Sequence, residues 1–248
     1  VTEETSFPDG MVPLEDQPFR FRCHPGVACF TMCCRNVDLD LYPYDIVRLK
    51  NSLGLDSLSF LETHTRLHQG DNNYFPTVKL QLVAAGSEWV CPFLSQQGCS
   101  VYRDRPTGCR TYPLERAVAR TQQRRGGRRD WYFIKHHDYC LGHREEDEQT
   151  VQHWLRSQRL EPYNMMNDLW AGIDTLLASN PFKGEGSGGP RQQLTFQACY
   201  DMDGFRRYAD QNRLLEGYPL DRDRRRRIRR SDEELLKFAF EWLQSAIL

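Results

Sequence analysis

The sequence predicts an α+β protein: a small cysteine-rich domain followed by a mostly helical C-terminal part. Three observations carry that expectation. Eight of the nine cysteines among the 248 residues fall between Cys23 and Cys140. The same stretch holds short apolar–polar alternations separated by turn residues, the pattern of brief strands. Beyond Glu145 the apolar residues instead recur at helical spacing, as in Val151, Trp154, Leu155, Met165, Met166, Leu169, Trp170 and Ile173.

Composition narrows the class. Apolar residues make up 39% and charged residues 27%, so a core can form beneath a strongly polar surface. A mean hydropathy of −0.69 and the lack of any run near about eighteen apolar residues argue against a membrane span. No segment reads as a secretory signal, so a cytoplasmic location is expected. A net charge of −1 argues against a surface built throughout for nucleic acid.

In chain order, residues 1–18 are acidic and broken by proline, and read as an arm. Residues 19–145 form the cysteine-rich domain. Within it, Val37–Leu41 alternates like a strand. Pro43 suits the first turn of a helix carrying Ile46, Leu49 and Leu53, with Gly54 as its stop. A second helix is expected from Ser57, then strands at 78–83, 89–94, 97–102 and 131–134. Residues 103–115, punctuated by Pro106, Gly108 and Pro113, read as a loop. Residues 146–180 form a helical segment, 181–193 a flexible linker by composition, and 194–248 a C-terminal helical segment. There a helix is expected near 203–213. Ser231 and Glu234 outline a capping box for a final helix carrying Leu235, Leu236, Phe238 and Trp242.

The cysteines run Cys23-x5-Cys29-x3-Cys33-Cys34, then, after 56 residues, Cys91-x7-Cys99-x9-Cys109, with Cys140 beyond. In a reducing compartment such clustering points to metal rather than to disulfides. Thiolate ligands favour zinc, copper(I) or iron–sulfur clusters. The paired C-x2-C knuckles of structural zinc sites are absent, and the common ferredoxin spacings do not occur either. Spacing alone therefore leaves the metal open. Eight thiols are twice what one tetrahedral zinc or one 4Fe–4S cluster needs. Adjacent Cys33 and Cys34 diverge in any regular structure, so the set suits either one centre with supporting cysteines or two centres. Cys199 lies far from the cluster and reads as a packed cysteine.

The ordered elements Cys29-x3-Cys33-Cys34, Leu41-Tyr42-Pro43-Tyr44-Asp45-Ile46, Cys91-Pro92-Phe93-Leu94-x3-Gly98-Cys99 and Arg105-Pro106-x2-Cys109-Arg110-x-Tyr112-Pro113 resemble the YkgJ-type cysteine-cluster family across roughly residues 20–145. The resemblance implies a cytoplasmic zinc- or iron-chelating domain, often iron–sulfur, with Cys23, Cys29, Cys33, Cys34, Cys91, Cys99, Cys109 and Cys140 as candidate ligands. Five residues separate Cys23 from Cys29, where many members have fewer. A flagellin lysine N-methylase shares a similar cluster, which adds a protein-modifying enzyme as an alternative class, although nothing outside the cluster matches a methylase. The leading expectation is a 4Fe–4S protein acting in redox or cluster-dependent chemistry beside a protein partner. Its rival is a structural zinc module that shapes an interaction surface.

Other residues carry weaker signals. Arg105 and Arg110 flank a candidate ligand and are expected to offset thiolate charge or donate hydrogen bonds around the centre. His136 and His137, just before Cys140, are more often packed or solvated than ligating. His64 and His68, four apart, read as a surface pair on a helix. Arg-rich runs at 102–129 and 222–230 suit phosphate or an acidic partner, but no aromatics interleave them, and nucleic-acid binding is not the expected function.

Overall fold

A computed structural model describes residues 7, 11–70, 72–118, 130–182, 184–185 and 188–247. Most of the expected N-terminal arm, residues 119–129 of the 102–129 arginine run and part of the 181–193 linker lie outside the described residues. Among the described residues the strands are β1 (Phe19–Arg20), β2 (Thr65–His68), β3 (Thr77–Leu80), β4 (Val83–Ala85), β5 (Glu88–Val90), β6 (Leu94–Ser95), β7 (Gly98–Cys99), β8 (Leu114–Val118), β9 (Asp130–Ile134) and β10 (Glu148–Gln149). The α-helices are α1 (Pro43–Leu53), α2 (Ser57–His64), α3 (Thr107–Thr111), α4 (Val151–Ser157), α5 (Glu161–Ala178), α6 (Pro190–Tyr200), α7 (Met202–Gln211), α8 (Arg222–Arg230) and α9 (Asp232–Ile247). The strands pair only in antiparallel twos: β1 with β10, β2 with β3, β4 with β5, β6 with β7, and β8 with β9. Helices with small antiparallel sheets bear out the α+β class. No helix of the described residues is long and apolar enough to cross a membrane.

The chain divides into two compact units, each assembled from separate stretches. The first takes residues up to Cys33 together with Gly108–Glu161, and the second takes Cys34–Thr107 and Pro162 onward.

In the first unit β1–β10 and β8–β9 frame a small aromatic core of Phe19, Phe21, Leu114, Tyr132, Val151, Trp154 and Leu160. Trp154 stands edge-on to both Phe19 and Phe21. Its indole N–H donates to the Thr111 carbonyl at 3.0 Å, so the ring is buried with its polar atom satisfied. Thr150 caps α4 by accepting the His153 N–H.

The second unit has a much larger core. Leu41, Ile46, Leu49, Phe60, Val78, Tyr163, Ile173, Phe205, Phe238 and Leu243 are among its buried members, with α1, α2, α5, α6, α7 and α9 contributing. Helix α1 begins at Pro43 and stops at Gly54, as its sequence signals predict. Gly54 takes φ 66°, the left-handed cap that glycine adopts without strain. Asp45, fully buried, accepts the Tyr42 N–H and both the N–H and hydroxyl of Thr107. Lys50 is buried between Asp203 and Asp232 at 3.1 and 2.7 Å. Arg206 also binds Asp232, and Ser57 donates twice to Asp203.

Several expectations change in detail. The 37–41 stretch is extended and bonds to β3 through Leu39 and Leu41, with one bridge at Asp40, but forms no full strand. The single 78–83 strand divides into β3 and β4. The 103–115 loop contains α3, whose first residue, Thr107, is held by the Asp45 carboxylate despite Pro106 and Gly108. Helix α2 ends at His64 because Thr65–His68 pairs with β3, so His64 and His68 do not share a helix. Helix α6 begins inside the expected linker, and the 222–230 arginine run is itself a helix.

Candidate metal centre

The candidate ligands divide between the units. Cys23, Cys29, Cys33, Cys109 and Cys140 belong to the first unit and Cys34, Cys91 and Cys99 to the second. The dividing point falls between the adjacent Cys33 and Cys34, and each unit takes thiols from both halves of the motif.

In the first unit the segment carrying Cys23 and Cys29 lies against the one carrying Cys140. Arg22 N–H donates to the Gly142 carbonyl at 3.0 Å. His24 Nε2 and a Glu145 carboxylate oxygen stand 3.0 Å apart. The Leu141 N–H points at the Cys29 sulfur at 3.1 Å. Such a donor stabilises charge on a thiolate and is one of the levers that tune a sulfur-bound metal. Gly142 is needed for this approach, because a Cβ there would meet the Arg22 carbonyl and the Phe21 ring at 2.8 Å.

Tyr112 hydrogen-bonds with Cys140, and imidazoles gather around that tyrosine. The Tyr112 hydroxyl lies 3.2 Å from His143 Nε2, and His137 stacks on the Tyr112 ring. Burial pushes the Tyr112 phenol well above its ordinary range, helped by its hydrogen bond with Cys140 and by the nearby charge of Cys33. His136 and His143 rings stand 4.2 Å apart. Burial, and then the neighbouring His136, push His143 below its ordinary value, so it stays neutral at pH 7. The sequence names Tyr112 only as part of the motif, with no role, and does not single out His143. The second had a signal in the Cys140-x2-His143 spacing.

In the second unit residues 34–36 run antiparallel to 89–91. Cys91 N–H donates to the Cys34 carbonyl at 2.8 Å, and Asn36 N–H to the Trp89 carbonyl at 2.7 Å. A turn from Cys91 leads into the β6–β7 hairpin, where Leu94 faces Cys99. Gly98 takes φ 110°, open only to glycine without strain. The backbone thus brings Cys34, Cys91 and Cys99 into one neighbourhood.

Cys23, Cys33 and Cys109 are exposed, and Cys29, Cys34, Cys91, Cys99 and Cys140 are half-buried. Cys199 is fully buried in the large core, and burial pushes its thiol well up. Among the described residues no three His, Cys, Asp or Glu side chains form a group ready to hold a metal ion. The donor chemistry nonetheless fits zinc or iron: accessible soft sulfurs, an N–H aimed at one of them, and imidazoles nearby.

Arg105 and Arg110 are both buried. Arg105 donates to the Tyr102 carbonyl at 2.7 Å, with its guanidinium over the Tyr102 ring. Arg110 donates to the Gln158 carbonyl at 2.6 Å. His64 is not a simple surface residue: it packs on Phe60 and Phe93, and burial lowers its pKa.

These features describe a cysteine-rich segment whose sulfur donors suit a soft metal. Residues 22–141 match the CxxCxxCC family, described as "Putative zinc- or iron-chelating domain". That match agrees with the YkgJ-type resemblance carried by the motif and covers just under half of the chain. Its own spacing widens the order in the family name. No curated protein and no solved structure matches the chain.

Proposed function

We propose that the domain binds a 4Fe–4S cluster through cysteines among Cys23, Cys29, Cys33, Cys34, Cys91, Cys99, Cys109 and Cys140. The cluster would serve a redox or cluster-dependent role beside a protein partner in the reducing cytoplasm. The observation that carries this reading is the Leu141 N–H donated to the Cys29 sulfur, because N–H donors to ligand sulfur tune cluster potential. When bound, the cluster supplies one-electron chemistry. The chain's own residues do the rest: Gly142 permits the close approach of segment 22–29, and Tyr112 orders the Cys140 side. Buried Arg105 and Arg110 place positive charge in the segment that bears Cys109.

A structural zinc site is the second reading, favoured by the neutral His143 beside the Tyr112–Cys140 contact, since imidazole is a common zinc ligand. Anaerobic purification with iron, sulfide and zinc analysis separates the two. Brown protein with matched iron and sulfide supports the cluster, at about four irons for one centre or about eight for two. Colourless protein with stoichiometric zinc overturns it in favour of the second reading. In either case Cys91→Ser or Cys109→Ser is expected to lose metal, whereas Cys199→Ser keeps its full content. Full metal in both of the first two variants would remove their cysteines from the ligand set.

A further inference from the structure

Helix α8, in the second unit, carries seven arginines within nine residues, yet buries only Ile228. Arg222, Arg225, Arg226, Arg229 and Arg230 recur at spacings of three and four and so share one face. Together they line an open depression of about 530 Å³. The remaining two arginines face fixed partners, Arg224 on Glu241 and Arg227 on Glu234. Of the five lining the depression, Arg226 reaches Asp223 and Arg229 stands 3.7 Å from Glu216. No ion pair among the described residues involves Arg222, Arg225 or Arg230. The Arg225 Nε is buried with no hydrogen-bond partner, although its Nη2 reaches the Tyr218 carbonyl at 3.4 Å.

The fold does not require this arrangement. Like charges at i, i+4 destabilise a helix, and Arg222–Arg226, Arg225–Arg229 and Arg226–Arg230 are three such pairs. The helix dipole favours cations only in the last turn and opposes Arg222 in the first. Even at the C-terminus, Arg206 already caps the Ile228 and Arg229 carbonyls at 2.8 and 2.7 Å.

We propose that this face of α8 binds a compact small-molecule anion bearing two or three linked phosphates. The depression has the size of a small-ligand site. Guanidiniums match phosphate oxygens in pairs, and the face from 222 to 230 spans about 12 Å. Linked phosphates place several negative charges within that length, denser than the carboxylates of a peptide. No aromatic side chain lines the site, so nothing there reads a base.

The test is titration calorimetry of the full chain with sodium tripolyphosphate at low ionic strength. Saturable binding is expected, weakened at least tenfold between about 50 and about 200 mM salt and again at least tenfold in R222Q/R225Q/R229Q. Glutamine keeps helix propensity, and a far-ultraviolet dichroism spectrum matched to the parent shows that the variant is folded. R222Q alone, at an exposed position, is expected to weaken binding by a smaller factor. R20Q, on an exposed arginine paired with Glu148 in the first unit, is expected to leave it unchanged. Absence of saturable binding, equal affinity in the triple variant, or binding of a DNA duplex without binding of tripolyphosphate would each overturn the proposal.

Discussion

The two units solve the same problem with unequal means. The second buries more than thirty hydrophobic side chains, drawn from seven α-helices, strand β3 and the loops between them. The first closes around seven, most of them aromatic. A core of that size supplies little stabilisation, and small units usually add a metal or a covalent staple. The first unit also holds five of the eight candidate ligands, so the region with the weaker core is the one richer in thiols. Metal binding is folding free energy wherever the site is not preformed. The contrast predicts that removing metal costs the first unit more stability than the second.

The largest effects that test this contrast come from the two cores. Trp154→Ala and Phe205→Ala should each destabilise by about 3–5 kcal/mol. Hydrogen exchange should differ between them: Trp154→Ala should expose the amides of β1, β8, β9 and β10 while α5 and α9 stay protected. Equal loss of protection in both units would break the comparison. Next in size is Lys50→Ala, which leaves Asp203 and Asp232 facing each other in a partly buried site. A loss of about 3 kcal/mol is expected, read by denaturant melting. Lys50→Ala at or below 1 kcal/mol would show that the buried pair is not a pillar of the second unit.

The same network sets an acid limit. Burial pushes Asp203 and Asp232 upward, but it is outweighed by the Ser57 donors and Lys50 on the first, and by Lys50 and Arg206 on the second. Both carboxyls therefore titrate below their unfolded values near 3.9. Their contribution is present above about pH 4 and is lost as pH falls through the lower folded values. Acid melting of the second unit should flatten below about pH 4 in Lys50→Ala relative to the parent chain. The smallest effects are at the caps. Thr150→Ala in the first unit removes one N-cap bond, for about 1 kcal/mol, and Asp56→Ala in the second removes the corresponding backbone cap. With a smaller core to spare, the first unit should show the larger drop in melting temperature.

Much of the fold could be read locally. Pro43 and Gly54 bracket α1 because a fixed φ and a left-handed cap are properties of single residues. Ser231 likewise accepts the Glu234 N–H at the start of α9. Within the expected helical 194–248 stretch α6 is not marked out individually, because its buried face is Thr195, Ala198, Cys199 and Tyr200, with little apolar periodicity. Helix α8, in the same stretch, is not marked out either, because one isoleucine makes no stripe. His64 and His68 were misplaced because the β2–β3 pairing that ends α2 is tertiary. In the candidate site the cysteines announced themselves by residue type and order. What joins them did not: the Leu141–Cys29 bond and the Tyr112–His143 contact link residues 112 and 31 positions apart, beyond any local pattern.

The chain passes between units after Cys33, after Thr107 and after Glu161. During synthesis this has a temporal consequence. Cys29 and Cys33 leave the ribosome more than a hundred residues before Cys140 and the Leu141 N–H that meets Cys29. The second unit's opening stretch, from Cys34 to Thr107, must likewise wait for α5 and the helices after it. While residues 35 to 140 are being made, the nascent polypeptide therefore displays its first four thiols without all of their later neighbours. Over that interval reduction, chaperoning or early metal capture would decide whether they reach the right ones.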